Sequence, residues 1–237
     1  MLTLNSTGLP VVRLQLQLRD LDLFRGNIDG YFDETVRQAV KAYQKSKGLQ
    51  DDGIAGPMTN AALAKDTENG YHILFLHCAA TPEGRNVTAS QVVQFHTLPV
   101  DKGGRGWSRP GYSDIIELSG KLVNVWPWDS DNYIKEWEQT WGVHGSTLLN
   151  RNARHLCYIG GTAADNINIP KDTRTEAQLG TMETYIRFNL LRNPKLIIVG
   201  HNQVQQKGCP SFDVPEYLRS IGISEWNILQ TGMRFAI

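Results

Sequence analysis

Apolar positions along the chain fall into two regimes that change near residue 66. Before that point, helical stripes alternate with Asp-Gly turns. Val36, Ala39, Val40 and Tyr43 share one face of a helix, and Gly48 supplies a left-handed stop. Thr35 is a candidate N-cap for that helix, and Pro57 sits near the start of the next. The segment ahead of them satisfies two periods at once. Leu14, Leu16 and Leu18 alternate as in a strand, while Val11, Leu14, Leu18 and Leu21 have helical spacing, so periodicity leaves it open. An imperfect repeat is also visible: Asp29-Gly30 leads to Thr35 and Ala39-Val40, and Asp52-Gly53 leads to Thr59 and Ala62-Leu63.

After a polar, turn-prone stretch at residues 67–70, short apolar runs alternate with longer amphipathic segments. Tyr71 to Leu76 reads as a buried strand ending at His77. Ser90 is placed to cap a short helix carrying Val92, Val93 and His96. Tyr112 to Leu118 and Leu122 to Val125 form a hairpin about Ser119-Gly120-Lys121. Thr173 and Glu176 have capping-box spacing, and the helix beyond them runs through Leu179, Met182, Ile186 and Leu190 and stops before Pro194. Leu196 to Val199 is a second buried strand, closed by Gly200-His201. Strands separated by helices predict an α/β domain with a central mixed sheet flanked by helices, over residues 71–237.

Composition narrows the function classes. A chain of 237 residues, 41% of them apolar, can bury one full core and a smaller one. No stretch is long and apolar enough to span a membrane, so no membrane insertion is expected. The first residues lack the basic start and apolar run of a secretory signal, which predicts synthesis in the cytoplasm. Lys plus Arg and Asp plus Glu are both 24, which excludes an electrostatic bias towards nucleic acid. Any ligand is gripped by shape, hydrogen bonds or metal. Three cysteines, Cys78, Cys157 and Cys209, argue against a disulfide framework and for buried thiols or a thiolate ligand.

Candidate chemistry gathers at strand ends. His77 and His201 each follow an apolar strand, on the edge where α/β sheets carry their sites. Cys209 lies beyond His201 in the Gly- and Pro-bearing loop GHNQVQQKGCPSFDV. Two imidazoles and a thiolate are donors that zinc prefers, and three protein ligands leave a fourth position open, as in catalytic centres. By spacing alone, a histidine at a strand end is more often a capped or core residue. His96 reads as a packing histidine, His72 lies at the far end of its strand, and His144 and His155 fall in loop-like stretches. Cys78, next to His77, should point the opposite way and be buried, as should Cys157.

Two resemblances sharpen this reading. Residues 8–65, through Leu14-Gln15, Asp29-Gly30-Tyr31-Phe32, Tyr43-Gln44, Gly48-Leu49, Asp52-Gly53-Ile54 and Gly56-Pro57, resemble the peptidoglycan-binding domain family, a small three-helix module. That likeness favours helix for residues 11–21 and makes residues 1–66 a wall-targeting module. From about residue 71 to Pro215, the segments LHCAATPEG, GWSRPGYSDII, YIGGT, DTRTEAQ and GHNQVQQKGCPSFDV resemble the zinc amidase family that contains T7 lysozyme. Its fold is related to that of the peptidoglycan recognition proteins. The resemblance implies a zinc ion held by His77, His201 and Cys209, with Tyr112 and Lys207 as catalytic helpers. Two departures stand out. Ser113 follows Tyr112 where the family has histidine or asparagine, and Val125-Trp126-Pro127-Trp128 replaces a glycine-arginine pair. Trp126 and Trp128 could wall a sugar groove or pack an insertion. The tail after Gly222 has no counterpart in the family.

The function implied is an N-acetylmuramoyl-L-alanine amidase, which cuts the amide between muramic acid and the stem peptide of peptidoglycan. The context implied is a phage endolysin, acting as a monomer at the cell wall or in the periplasm after release through a partner holin. A wall-turnover amidase and a non-catalytic peptidoglycan binder are the alternatives. A glycosidase would need two positioned carboxylates, and Glu83, Glu117 and Glu176 form no recognisable pair.

Overall fold

The computed structural model describes residues 1–67, 70–129 and 131–230; Glu68 and Asn69 of the expected linker and residues 231–237 of the tail lie outside them. Three helices come first: α1 (Leu9–Asp20), α2 (Glu34–Ser46) and α3 (Pro57–Asp66). The repeat seen in the sequence is a repeated hydrogen-bonded clasp. In the first copy the Gln15 amide donates to Asp29 Oδ1 at 2.7 Å and accepts from Gly30 N–H at 2.9 Å. In the second, Gln44 donates to Asp52 Oδ1 and accepts from Gly53 N–H, both at 2.9 Å. Gly30 and Gly53 hold φ of 68° and 75°, which is why each turn needs glycine.

The double periodicity of residues 11–21 has a physical cause. Helix α1 is buried on nearly every side, from Val11 and Val12 through Gln15 and Gln17 to Arg19. A helix without a solvent face carries no clean 3.6-residue stripe. What surrounds it is its own module on one side and the sheet of the following domain on the other.

That sheet has five strands in the order β4-β3-β5-β1-β7, built from β1 (Ile73–Cys78), β3 (Asp114–Ile116), β4 (Leu122–Asn124), β5 (Ala153–Tyr158) and β7 (Ile197–Gly200). Only the β3–β4 hairpin is antiparallel, so the sheet is mixed, as expected. A small parallel pair, β2 (Thr81–Pro82) with β6 (Gly161–Thr162), lies beyond the C-terminal ends of β1 and β5. Helices α6 (Glu176–Arg192) and α7 (Val214–Ser220) cover one face through Met182, Ile186, Val214 and Leu218. On the other face, α4 (Ala89–Thr97) covers Ile115 and Cys157. The short α5 (Thr147–Asn150) leads into β5.

The rest of that second face is covered by the N-terminal helices. Ile73, Phe75, Ala153, Ile197 and Val199 belong to the same apolar core as Val11, Leu14, Leu18, Val36 and Leu63. Polar clamps fix the contact: Lys195 pairs with Asp22 at 2.9 Å and donates to the Asp20 carbonyl at 2.8 Å. The tail, unplaced from sequence, closes the joint. Buried Arg19 donates to the Trp226 carbonyl at 2.8 Å, with its guanidinium 3.7 Å from the centre of the Trp226 ring. The module is therefore docked on the sheet rather than tethered to it.

Several local expectations shift. Asp33, not Thr35, caps α2; Thr88, not Ser90, caps α4; the capping box of α6 is Thr175 with Gln178, not Thr173 with Glu176. Strand β1 runs two residues further than the apolar run, so His77 lies inside it. His155 is not in a loop but in β5 and fully buried. Trp128 packs over the guanidinium of Arg154 at 3.9 Å, and Arg154 in turn forms a buried 2.6 Å ion pair with Asp114. Trp126 donates to the Trp137 carbonyl at 2.8 Å. These partners favour packing over a sugar wall for both tryptophans.

Docking makes the module part of the core. Turning Ile73, Phe75, Ile197 and Val199 to water costs about 1.5–3 kcal/mol each, or roughly 6–12 kcal/mol together. A whole domain is stable by only about 5–15 kcal/mol. Deleting residues 1–66 is therefore expected to abolish the cooperative thermal transition and the near-ultraviolet circular dichroism of the remainder. A truncated chain melting within a few degrees of the full-length protein would contradict the docked arrangement.

Candidate metal centre

The site is built by strand register. Parallel pairing sets Leu76 of β1 opposite Gly200 of β7, so His77 and His201, one residue on, stand side by side. Gly200 is needed at this point: a Cβ there would lie 2.5 Å from Asn202 Oδ1 and 2.8 Å from Val214 Cγ2. Cys209 arrives on the loop that follows β7. That loop is pinned to the core by Tyr158, whose hydroxyl donates to the Pro210 carbonyl at 2.8 Å, and by Ser211, which donates to the Gly161 carbonyl at 2.6 Å. Cys78 N–H donates to Cys209 Sγ at 3.3 Å.

The three side chains converge. His77 Nδ1 and His201 Nδ1 are 3.1 Å apart, and Cys209 Sγ is 3.6 Å from His77 Nδ1. One donor atom from each residue fits in a cluster no wider than 4.8 Å. The donor set fits zinc. A tetrahedral centre with bonds of about 2.0–2.1 Å to nitrogen and 2.3 Å to sulfur spaces such donors about 3.3–3.6 Å apart.

Burial sets the protonation of these groups in the metal-free chain. Burial, reinforced by His201, His155 and Lys207, holds the His77 pKa well below the ordinary histidine value. Burial likewise brings His201 down to about 4, with Lys207 adding to the effect. Both rings are neutral at physiological pH, the form that binds metal. Burial and Cys78 push the Cys209 thiol well above its usual range, so a thiolate there requires a cation beside it. A half-buried thiol and two neutral imidazoles make a site that would gain its charge balance from a divalent ion.

Each imidazole is held through its second nitrogen. His201 Nε2 meets Gln205 Oε1 at 2.8 Å, and the Gln205 amide donates onward to the His144 carbonyl at 2.8 Å. His77 Nε2 meets His155 Nδ1 at 3.0 Å. Sequence reasoning missed both partners. Gln205 carried a weak signal, an amide four residues beyond a candidate ligand; His155 carried none, because only the pairing of β1 with β5 brings it close.

Tyr112 and Lys207 lie at the rim. The Tyr112 ring is 5.1 Å from that of His77, and its hydroxyl donates to the Cys78 carbonyl at 3.3 Å. Burial pushes the phenol well above its ordinary pKa, which suits a proton donor. Lys207 is exposed, and among the described residues no hydrogen bond or ion pair engages it. Its charge is nonetheless close enough to lower the pKa of both histidines. Ser113, at the unexpected position, spends its hydroxyl on the His155 backbone, donating to the carbonyl and accepting from the N–H, both at 3.1 Å.

Other candidates are occupied elsewhere. His96 stacks on Trp107 at 4.8 Å and accepts from Gly111 N–H at 3.2 Å, a packing role. His72 is buried just ahead of β1, beside the N-terminal helices. Cys78 and Cys157 are buried free thiols. A second acidic cluster, Asp129, Asp131 and Glu138, is balanced by Lys135, which pairs with both aspartates. Of the carboxylates weighed for glycan cutting, Glu83 pairs with Lys171 and Glu117 accepts from Ala89 N–H.

Known proteins resemble different stretches of the chain. Residues 7–63 match the model of a putative peptidoglycan binding domain. The chain is 26% identical over 144 residues to an endolysin of Escherichia phage T7, a match covering 61% of this chain and 83% of that protein. It is 39% identical over 83 residues to a spore cortex-lytic enzyme of Halalkalibacterium halodurans, covering 35% of this chain and 24% of the other. Among solved structures, the Ph2119 endolysin from Thermus scotoductus MAT2119 bacteriophage Ph2119 aligns over 65% of this chain and 86% of its own, with a TM-score of 0.46 and 19% identity. The chain is thus similar to phage endolysins over 144 residues, and residues 7–63 match a putative peptidoglycan binding domain.

Proposed function

We propose that the protein is an N-acetylmuramoyl-L-alanine amidase of the phage endolysin kind, hydrolysing the amide between the muramic acid lactyl group and L-alanine of peptidoglycan. Residues 71–237 form the catalytic domain, and residues 1–66 bring the wall to it across the short connection at 67–70. Its place of action is the cell wall of the host, reached as a monomer through the pore of a partner holin. The observation that carries the reading is the convergence of His77, His201 and Cys209 at the C-terminal edge of parallel strands, with a phenol and a lysine at its rim.

An amide needs a strong nucleophile and a stabilised oxyanion. Zinc, when bound by His77, His201 and Cys209, supplies Lewis acidity for the carbonyl and an activated water nucleophile near neutral pH. The chain's own groups do the rest. His77 and His201 offer Nδ1 because their Nε2 atoms are engaged by His155 and Gln205. Tyr112, its phenol protonated, can turn its hydroxyl from the Cys78 carbonyl to donate to a substrate oxygen at the rim. Lys207 is free to swing its cation to the developing oxyanion, an effect of about 2.7–4 kcal/mol for a well-placed donor.

Two measurements check this reading. Mass spectrometry of digested peptidoglycan should show free stem peptides beginning with L-alanine, lost on chelation and restored by zinc. Muropeptides with new reducing ends would mean a glycan-cutting enzyme instead. Lys207→Ala should keep one zinc per chain while kcat falls about 10²–10³-fold. Unchanged turnover would reduce Lys207 to a surface residue.

A further inference from the structure

We propose that His155 is a positioning residue for the metal centre: from β5 it accepts a hydrogen bond from His77 Nε2 and so turns His77 Nδ1 towards His201 and Cys209. The proposal rests on the zinc-site reading above.

The geometry assigns the roles. His77 Nδ1 is the atom that faces His201 Nδ1 at 3.1 Å and Cys209 Sγ at 3.6 Å, so it is the ligand atom. A neutral imidazole that gives one nitrogen to a metal carries its proton on the other. His77 Nε2–H therefore donates, and His155 Nδ1, 3.0 Å away, accepts. Histidine ligands ordinarily donate this proton to a carboxylate, a backbone carbonyl or water. Here a second imidazole takes it.

The fold is shaped to hold that imidazole still. The His155 ring stacks on Phe75, with centroids 5.3 Å apart and planes 3° from parallel. On its other side Gly142 makes room: a Cβ at position 142 would sit 2.1 Å from His155 Nδ1, the accepting atom itself. Ser113, just ahead of β3, fixes the backbone of His155. Phe75 in turn belongs to the core shared with the N-terminal helices. A continuous line of contacts thus runs from the docked module through Phe75 and His155 to His77.

A purely structural role fits badly. His155 is fully buried, and its Nε2 has no hydrogen-bond partner among the described residues. An apolar side chain would satisfy this pocket without that orphaned nitrogen. Retaining histidine makes sense where the accepting Nδ1 is needed.

The test uses the full-length chain and the variants His155→Leu, His155→Asn and Gly142→Ala. Zinc affinity is read by competition with a chromophoric chelator, ligand geometry by the visible spectrum of the cobalt-substituted protein, and folding by metal-free thermal unfolding. His155→Leu is expected to weaken zinc binding about 10–100-fold, the usual effect of losing such a partner, and to alter the cobalt bands. The metal-free melting temperature should hold or rise. His155→Asn, whose Oδ1 takes the place of Nδ1, should recover most of the affinity. Gly142→Ala should reproduce the loss. Unchanged zinc affinity and cobalt bands in His155→Leu would overturn the proposal. So would equal losses in the Leu and Asn variants that track a fall in metal-free stability. If the wild-type chain takes up no zinc, the site reading fails first, which separates the two ideas.

Discussion

Strand β1 meets water on neither face, and the architecture follows from that constraint. Every residue from Ile73 to Cys78 is buried. One face is covered by the two helices that follow β5 and β7, which is ordinary for a parallel sheet. The other is left bare by the α/β domain's own elements over β1 and β7, and the N-terminal helices cover it. The module that resembles a wall binder is thus also a layer of the domain it precedes. Helix α1 shows the consequence in its composition, with glutamine and arginine side chains buried alongside its leucines.

The same double burial explains the chemistry. At the C-terminal end of β1 the strand carries His77 into a place where a charge is costly, and the neighbouring strands supply imidazoles rather than carboxylates. Neutral rings and an undissociated thiol are what such a place tolerates without an ion. A divalent cation held there would reverse the preference of Cys209 and give all three donors a common partner. Hydrogen bonds to the outer nitrogens matter more here than in an exposed site, since a buried ring has no water with which to correct its tautomer.

Much of this was legible in the sequence, for identifiable reasons. Strands buried on both faces leave continuous apolar runs, so β1 and β7 could be read directly. That His77, His201 and Cys209 come together could be expected from the motif and from the two histidines' place at strand ends. Helix caps were misplaced by about two residues. Capping depends on the φ and ψ of one residue, and Asp33 competes with Thr35, as Thr88 does with Ser90. What could not be read was long-range. His155 reaches His77 only through the register of β1 with β5, and the docking of α1 onto the sheet was hidden because burial on all sides blurred its period. The tail was opaque for the same reason: Trp226 has meaning only beside Arg19.

In the proposed site His77, His201 and Cys209 together hold one zinc ion. X-ray absorption at the zinc edge of the purified, zinc-loaded protein measures this most directly. One sulfur at about 2.3 Å and three nitrogen or oxygen neighbours at about 2.0–2.1 Å are expected, with the sulfur shell lost in Cys209→Ser. A first shell containing no sulfur, or one unchanged by that substitution, would contradict it.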